Sequence, residues 1–143
     1  MIKQINKLSN TELNTLIDLW LDINIETHTY IDKNYWKSNQ DFVKRELVKA
    51  DIFVYCSEKN IVAFLGLVDN YIAGIFISKQ FRNNGIGKQL LNVAKEKNEK
   101  LILTVYKKNI NAIDFYSSQK FKIVKEQVDI NTSEIEYVMV WEK

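Results

Sequence analysis

Several residue types are scarce in this sequence, and each shortage narrows what the protein can be. Among 143 residues there is no proline, and there are only four glycines, one cysteine and one histidine. Because one cysteine cannot form an internal disulfide, Cys56 indicates a reducing compartment and is most simply a buried thiol. One cysteine and one histidine also give no Cys/His cluster that would suggest a metal site.

Charge and hydropathy argue against two further classes of protein. The net charge is +2, and the lysines and arginines are spread along the chain without a basic stripe, which argues against a nucleic-acid partner. No apolar run approaches the ~20 residues that span a bilayer, so no membrane partner is expected, and the start MIKQINKLSN is too polar for a signal peptide. With 46% hydrophobic and 27% charged residues, we expect one globular domain over residues 1–143, located in the cytoplasm.

Hydrophobic periodicity predicts a chain of mixed strands and helices. The first helix has the capping-box pair Ser9 and Glu12, followed by apolar residues at helical spacing. The predicted helices cover residues 8–26, 39–50, 86–100 and 111–119. The predicted strands cover residues 1–5, 51–57, 60–69, 71–78, 101–106, 121–129 and 134–142. The order βααβββαβαββ combines antiparallel hairpins with a β-α-β crossover, and it predicts an α/β fold with a mixed sheet.

Two of the four glycines lie one residue apart in FISKQFRNNGIGKQLL, residues 76–91, between a predicted strand and a predicted helix. A helix N-terminus carries unpaired N–H groups and the positive end of the dipole, and glycine lets a ligand approach this backbone. Arg82 before the turn and Lys88 after it add positive charge. Together these features indicate a phosphate or pyrophosphate site. The alternative is that Gly85 only permits a turn and Gly87 only a close helix–sheet contact.

The pattern R-x-x-G-x-G after an apolar strand, formed by Arg82, Gly85 and Gly87, resembles the acyl-CoA pyrophosphate loop of the GNAT N-acetyltransferase superfamily. A second segment, VYKKNINAIDFYSSQKF over residues 105–121, resembles the family element N-x-x-A-x-x-[FL]-Y-x-x-x-G-F. The predicted element order is also similar to the GNAT fold. Within the superfamily, the stretches LWLDINIETHTYIDKNYW (residues 19–36) and EYVMVW (residues 136–141) resemble small single-domain bacterial members of the YiaC type. The resemblance implies that acetyl-CoA donates an acetyl group directly to a primary amine in a ternary complex, without a metal.

The resemblance also implies which residues bind acetyl-CoA. The end of the strand before the loop, at Ile75, Phe76 and Ile77, would pair with the pantetheine arm. The pyrophosphate would lie on a loop and helix start made of Arg82, Asn83, Asn84, Gly85, Ile86, Gly87 and Lys88. Asn109 would lie near the pantetheine, although it is also well suited to cap the following helix. Tyr116 would be the general acid that protonates the leaving thiolate, with a plain core aromatic as the alternative.

Two positions depart from the family pattern. Thr104 stands where many relatives carry a glutamate, and threonine is no base at neutral pH. His28 is then the best candidate to replace that glutamate as a catalytic residue. Lys120 replaces a glycine, which would cost roughly 1 kcal/mol if the site needs a left-handed turn.

The sequence leaves the identity of the acceptor amine open. A protein lysine is favoured by the YiaC resemblance, a small-molecule amine is the alternative, and a non-catalytic acyl-CoA-binding module is the rival from another class. Tyr30, Tyr35 and Trp36 could form an aromatic wall for the acceptor, and Glu134 and Glu136 could attract its charge. The protein would be a monomer or a homodimer.

Overall fold

A computed structural model describes all 143 residues and contains one seven-stranded mixed sheet with helices on both faces. The strands are β1 (Ile2–Ile5), β2 (Asp51–Ser57), β3 (Asn60–Val68), β4 (Tyr71–Ile77), β5 (Lys100–Tyr106), β6 (Lys122–Val128) and β7 (Ile135–Glu142). The helices are α1 (Asn10–Thr27), α2 (Lys33–Ser38), α3 (Gln40–Lys49), α4 (Ile86–Lys97) and α5 (Ile110–Ser118). The mixed α/β sheet predicted from the sequence is therefore confirmed.

The sheet order is β1-β2-β3-β4-β5-β7-β6. The first four strands are antiparallel neighbours, as are β5, β7 and β6, and only the central β4–β5 pair is parallel. That pair holds a single register match, Tyr71 with Ile102, whereas β5 and β7 are matched along seven residues. The sheet is thus two antiparallel halves that meet at the start of β4 and separate beyond it.

Because successive side chains of a strand point to opposite faces of the sheet, the buried residues form two hydrophobic clusters, one on each face. On one face, Leu16, Ile17 and Leu47 of α1 and α3 pack on Ile52, Val54 and Phe64. On the other face, α4 and α5 bury the larger cluster, which includes Phe53, Leu65, Leu90, Leu91, Leu103, Tyr116 and Met139. Because β4 and β5 lie at the middle of this layered arrangement, helices from both faces reach the point where the two strands separate.

The helix prediction was wrong in two places. A further short helix, α2, follows α1, so the observed order is βαααβββαβαββ. Asp32 caps it by accepting a hydrogen bond from the Asn34 N–H at 2.8 Å, and Trp36 anchors it at 6% exposure. Six residues are too few to show a helical period. Second, α4 ends at Lys97 rather than residue 100, because Asn98 turns extended and Lys100 already pairs in β5.

Candidate active site

The separation of β4 and β5 opens a cavity of about 290 Å³. The Ile102 N–H donates to the Asn70 carbonyl at 2.9 Å, and no backbone pairing between the strands follows that point. Residues 73–76 of β4 and 104–106 of β5 then line opposite sides of the cavity. The sides are closed by Trp20 and Asn24 of α1, His28, Trp36, Asn109, and Ala112 and Tyr116 of α5. The remaining wall is Asp129 and Glu136 of the β6–β7 hairpin.

The edge of β4 that faces this cavity has free backbone groups. The Ser78 N–H donates to the Val62 carbonyl of β3 at 2.8 Å. Since alternate residues of an antiparallel strand point to the same side, Phe76 also bonds toward β3, and Ile75 and Ile77 point away from it. Their N–H groups face the gap left by β5, which is the geometry that accepts an extended chain as an added strand.

The glycine-rich loop lies directly after this strand end. A short 3₁₀ turn (Lys79–Phe81) leads to Asn83 and Gly85, whose backbones are left-handed with φ of 65° and 76°. Gly85 is the N-cap of α4 and supplies no side-chain hydrogen bond to the helix start. The first N–H groups of α4, on Ile86, Gly87 and Lys88, are therefore free for an anion.

Arg82 is held at the mouth of the loop by two contacts. Its Nε donates to the Ile77 carbonyl at 3.3 Å, and its Nη1 forms a 2.8 Å ion pair with Glu26 of α1. Its Nη2 is buried without a hydrogen-bond partner. A buried guanidinium N–H left unpaired is costly, and a phosphate oxygen is the acceptor that best relieves it.

Gly87 has a packing role in addition to any role in anion binding. A Cβ at this position would lie 3.2 Å from Phe115 Cζ and 3.3 Å from Ile77 Cδ1. These distances are tighter than ordinary contacts, so glycine lets α4 approach α5 and the end of β4. At Gly85 a Cβ would meet nothing within 4 Å. Glycine is favoured there because the backbone is left-handed. Both structural alternatives for the glycine pair therefore describe real features of the loop.

Tyr116 is buried at 9% exposure and lines the cavity from α5. Its ring packs edge-on against Phe115 and Phe121 at centroid distances of 5.2 and 5.6 Å. Burial, with a smaller contribution from Tyr71, raises the pKa of Tyr116 well above its ordinary value. The phenol therefore stays protonated in the cavity, where it can donate a hydrogen bond.

His28 and Asn109 lie together on the other side of the cavity. The Asn109 Oδ1 caps α5 by accepting from the Ala112 N–H at 3.3 Å, while its Nδ2 lies 3.5 Å from His28 Nε2. The cap and the cavity position of Asn109 thus coexist. Burial lowers the pKa of His28 to about 4, so this imidazole is neutral at physiological pH. Its Nδ1 is buried and unpaired.

Aromatic rings surround His28, as the sequence suggested for this segment. It stacks on Trp36 at 5.4 Å and meets Tyr30 and Tyr106 edge-on at 5.7 and 5.2 Å. The Trp36 Nε1 and the Tyr30 hydroxyl are buried without partners. Tyr35 packs edge-on against Trp36 at 4.9 Å, outside the lining of the cavity.

Thr104 faces the cavity, and its Oγ1 lies 3.0 Å from the Tyr71 hydroxyl. A threonine hydroxyl is no base at neutral pH, so β5 contributes no proton acceptor to the cavity.

The structure gathers most of the predicted site residues. Five of them line the cavity, namely His28, Ile75, Phe76, Asn109 and Tyr116. Ile77 and residues 82–88 form the adjoining strand end and loop rather than the cavity wall. Sequence reasoning missed Trp20, Asn24, Tyr106 and Asp129 as lining residues. Only Tyr106 had a signal, because it lies inside the segment 105–121 that resembles the family element.

Other features of the molecule offer no competing site. A depression of about 480 Å³ is lined by only four residues, Glu99, Lys100, Glu142 and Lys143, and has no apolar wall. No group of three or more His, Cys, Asp or Glu side chains is arranged to hold a metal ion. None of the helices has the length and hydropathy needed to cross a bilayer.

A free strand edge, a helix start with unpaired N–H groups and a buried phenol are the features expected of an acyl-CoA-dependent acyltransferase, the class implied by the sequence resemblance. Residues 49–123 match the family model described as acetyltransferase (GNAT) domain. The chain therefore belongs to the GNAT acetyltransferase family, which confirms the family prediction, and it is an acetyltransferase.

Two curated relatives are similar over most of their length. One is the peptidyl-lysine N-acetyltransferase YiaC of Escherichia coli K12, 29% identical over 96% of this chain and 95% of that protein. Another is the peptidyl-lysine N-acetyltransferase YjaB of the same strain, 26% identical over 90% of this chain and 89% of that protein.

Solved structures share the fold. The apo form of YjaB from Escherichia coli superposes with a TM-score of 0.84 at 23% identity, covering 99% of this chain and 97% of that one. The PaiA N-acetyltransferase of Thermoplasma acidophilum, crystallised with coenzyme A, superposes with a TM-score of 0.77 at 21% identity, covering 100% and 99%. The predicted GNAT fold is thereby confirmed.

Proposed function

We propose that this acetyltransferase moves the acetyl group of acetyl-CoA to the side-chain amine of lysine in proteins, by direct attack in a ternary complex. The observation that carries the proposal is the free edge of β4 facing a cavity that contains Tyr116 on one side and aromatic and acidic residues on the other. The names of YiaC and YjaB, peptidyl-lysine N-acetyltransferases, support a lysine acceptor.

In this proposal acetyl-CoA lies along β4 and ends at α4. The pantetheine amides pair with the free backbone groups of Ile75 and Ile77, along the strand end that also contains Phe76, with Asn109 nearby. The pyrophosphate oxygens accept hydrogen bonds from the backbone of residues 82–88 and from the unpaired Nη2 of Arg82. The acetyl thioester then reaches the cavity beside Tyr116.

The chemistry needs a neutral amine, a stabilised oxyanion and a protonated leaving group. The nitrogen lone pair attacks the thioester carbon, the C–N bond forms, and the C–S bond breaks. A backbone N–H near Ile77 donates to the oxygen while it carries negative charge. The Tyr116 hydroxyl donates its proton to the sulfur as it leaves. The excess proton on nitrogen is lost to a base and, through solvent, replaces the proton that Tyr116 gave up. The net products are an amide and the free thiol.

His28 is the proposed partner of the attacking amine. Because burial lowers its pKa to about 4, the ring is always free to accept a hydrogen bond at physiological pH. The same low pKa makes it a weak final acceptor of a proton, so we assign it to orienting the amine and passing its proton onward.

Two alternatives keep specific support. The first is a small-molecule amine as the acceptor, which would use the same cofactor site. A non-catalytic acyl-CoA-binding module is favoured by Thr104, which is engaged with Tyr71 and supplies no base.

The test is a transfer assay with acetyl-CoA and a panel of acceptors. The panel contains N-terminally blocked lysine peptides, peptides with only an α-amine, and polyamines, with thiol release and product mass as readouts. We expect amide formation on the lysine side chain, with one thiol released per amide. Transfer to polyamines alone would replace lysine as the acceptor, and acetyl-CoA binding without any thiol release would favour the binding module.

A further inference from the structure

The β6–β7 hairpin carries five carboxylates; apart from Glu142 at the far end of β7, their partners differ. Glu126 and Glu134 form ion pairs with Lys107 and Lys108, at 3.4 and 3.0 Å. Asp129 and Glu136, which line the cavity, are bonded only to neutral donors. Asp129 accepts from the Tyr106 hydroxyl at 2.6 Å and from the Asn131 N–H at 3.0 Å, and Glu136 accepts from Gln127 Nε2 at 2.6 Å.

The negative charge on this wall is therefore uncompensated within the protein. Two carboxylates in one cavity repel each other, and a cation between them removes that cost. Asp129 and Glu136 line the same cavity. Both charges also act on Tyr35, whose pKa is raised first by burial and then by these two carboxylates. The strand register places them close to the reaction centre, since Glu136 is the cross-strand partner of Tyr106, two residues from Thr104.

A second, independent feature indicates that a ligand belongs here. Trp36 is 6% exposed, lines the same cavity, and its indole Nε1 has no hydrogen-bond partner. A buried donor of this kind is normally satisfied, so an unpaired indole N–H in a residue of the cavity wall indicates a missing acceptor. The rings of Trp36, His28 and Tyr106 also present flat apolar surfaces suited to a methylene chain.

We infer that Asp129 and Glu136 are the recognition site for a protonated alkylamine, so that the acceptor is selected as a lysine-type cation on an alkyl chain. This inference rests on the proposed function for its place in the reaction. The carboxylates bind the ammonium group as the acceptor enters, and this group loses a proton to solvent before the neutral amine attacks. The aromatic rings contact its methylene chain, and the Trp36 N–H donates to an oxygen of the same molecule. Neutral side chains of equal length lack the charge that this wall requires.

The experiment measures binding rather than turnover. Nα-acetyl-lysine methylamide and its norleucine analogue, which has no charge, are titrated into the protein loaded with coenzyme A, and the indole resonance of Trp36 is followed by NMR. We expect the lysine probe to bind at least roughly tenfold more tightly than the norleucine probe, a modest value for a partly desolvated charge pair. The double variant D129N/E136Q should lose this preference.

The matched control is Glu126→Gln, which removes one negative charge from the same hairpin at a residue outside the cavity. It should keep the preference for lysine. If the double variant fails to fold, E136Q alone should reduce the preference, since the Gln127 contact can persist. Equal affinity for the two probes in the wild type, or an unchanged preference in the variants, overturns the inference. A lysine preference without acetyl transfer would instead refute the proposed function and leave this site standing.

Discussion

Replacing Tyr116 with phenylalanine separates the proposed acid from a core aromatic residue. The ring is buried against Phe115 and Phe121, and these contacts survive the change. Burial and Tyr71 set the pKa of Tyr116, and no hydrogen bond to its hydroxyl contributes. Removing a buried hydroxyl that has no partner costs little, so we expect the free energy of unfolding to change by less than about 1 kcal/mol.

The effect on catalysis should be much larger than the effect on stability. General acid catalysis contributes about 10²–10⁴-fold, so we expect kcat to fall about 100-fold, which corresponds to about 2.7 kcal/mol of transition-state stabilisation. The dissociation constant of acetyl-CoA should stay within about twofold, because Tyr116 is proposed to act on the sulfur only as it leaves. The measurements are steady-state kcat, calorimetric titration with acetyl-CoA, and chemical denaturation.

The control is Tyr55→Phe, which removes the hydroxyl of a tyrosine on β2 that lies outside the cavity lining. It should keep kcat close to the wild-type value. A Tyr116→Phe enzyme that turns over at the wild-type rate would show that the phenol is only a packed side chain. A large loss of stability would show instead that the hydroxyl has a partner in the folded protein.

Three further predictions concern the loop, the histidine and a turn. Arg82→Ala should weaken the binding of acetyl-CoA by about tenfold or more and leave the binding of a pantetheine fragment unaffected. The control is Arg45→Ala, at an exposed arginine. Equal losses of affinity for both ligands would contradict a contact between Arg82 and the pyrophosphate. Burial lowers the pKa of His28 from 6.5 to about 4. The stabilisation that comes from burying the neutral ring is therefore complete above pH 6.5 and is lost as the pH falls toward 4. In that window the unfolded chain binds more protons, so His28→Gln should remove about 3 kcal/mol of the pH dependence seen in denaturation curves. An unchanged slope would exclude His28 as its source. Lys120 has a left-handed backbone with φ of 74°, which strains a residue that has a Cβ. Lys120→Gly should therefore stabilise the protein by roughly 0.5–1 kcal/mol. A lower melting temperature in the variant would show that the backbone of Lys120 is not strained.

The fold was predictable because its strands and longer helices have clear local patterns. The capping box at Ser9 and Glu12 is present, with hydrogen bonds of 2.9 and 3.1 Å, and the glycine pair does precede a helix. The left-handed turn considered for Lys120 is also present. The short helix α2 was not predictable from periodicity, because it is fixed by a cap at Asp32 and by one buried side chain, Trp36.

The cofactor side of the site was more predictable than the acceptor side. The loop and Tyr116 lie in contiguous segments whose spacing can be recognised. The acceptor wall forms through contacts between distant segments. Tyr106 and Asp129 are 23 residues apart in sequence, and Glu136 reaches the cavity through its cross-strand register with Tyr106. Sequence spacing does not predict contacts of this kind. Asp129 was therefore missed, and the sequence did not show which of Glu134 and Glu136 lines the cavity.

The most direct test of direct acetyl transfer is to incubate the protein with acetyl-CoA labelled in the acetyl group, first without and then with a lysine peptide. We predict no labelled protein and no thiol release in the first case, and equal amounts of labelled amide and free thiol in the second. Thiol release without acceptor, with the label covalently held by the protein, would contradict attack in a ternary complex.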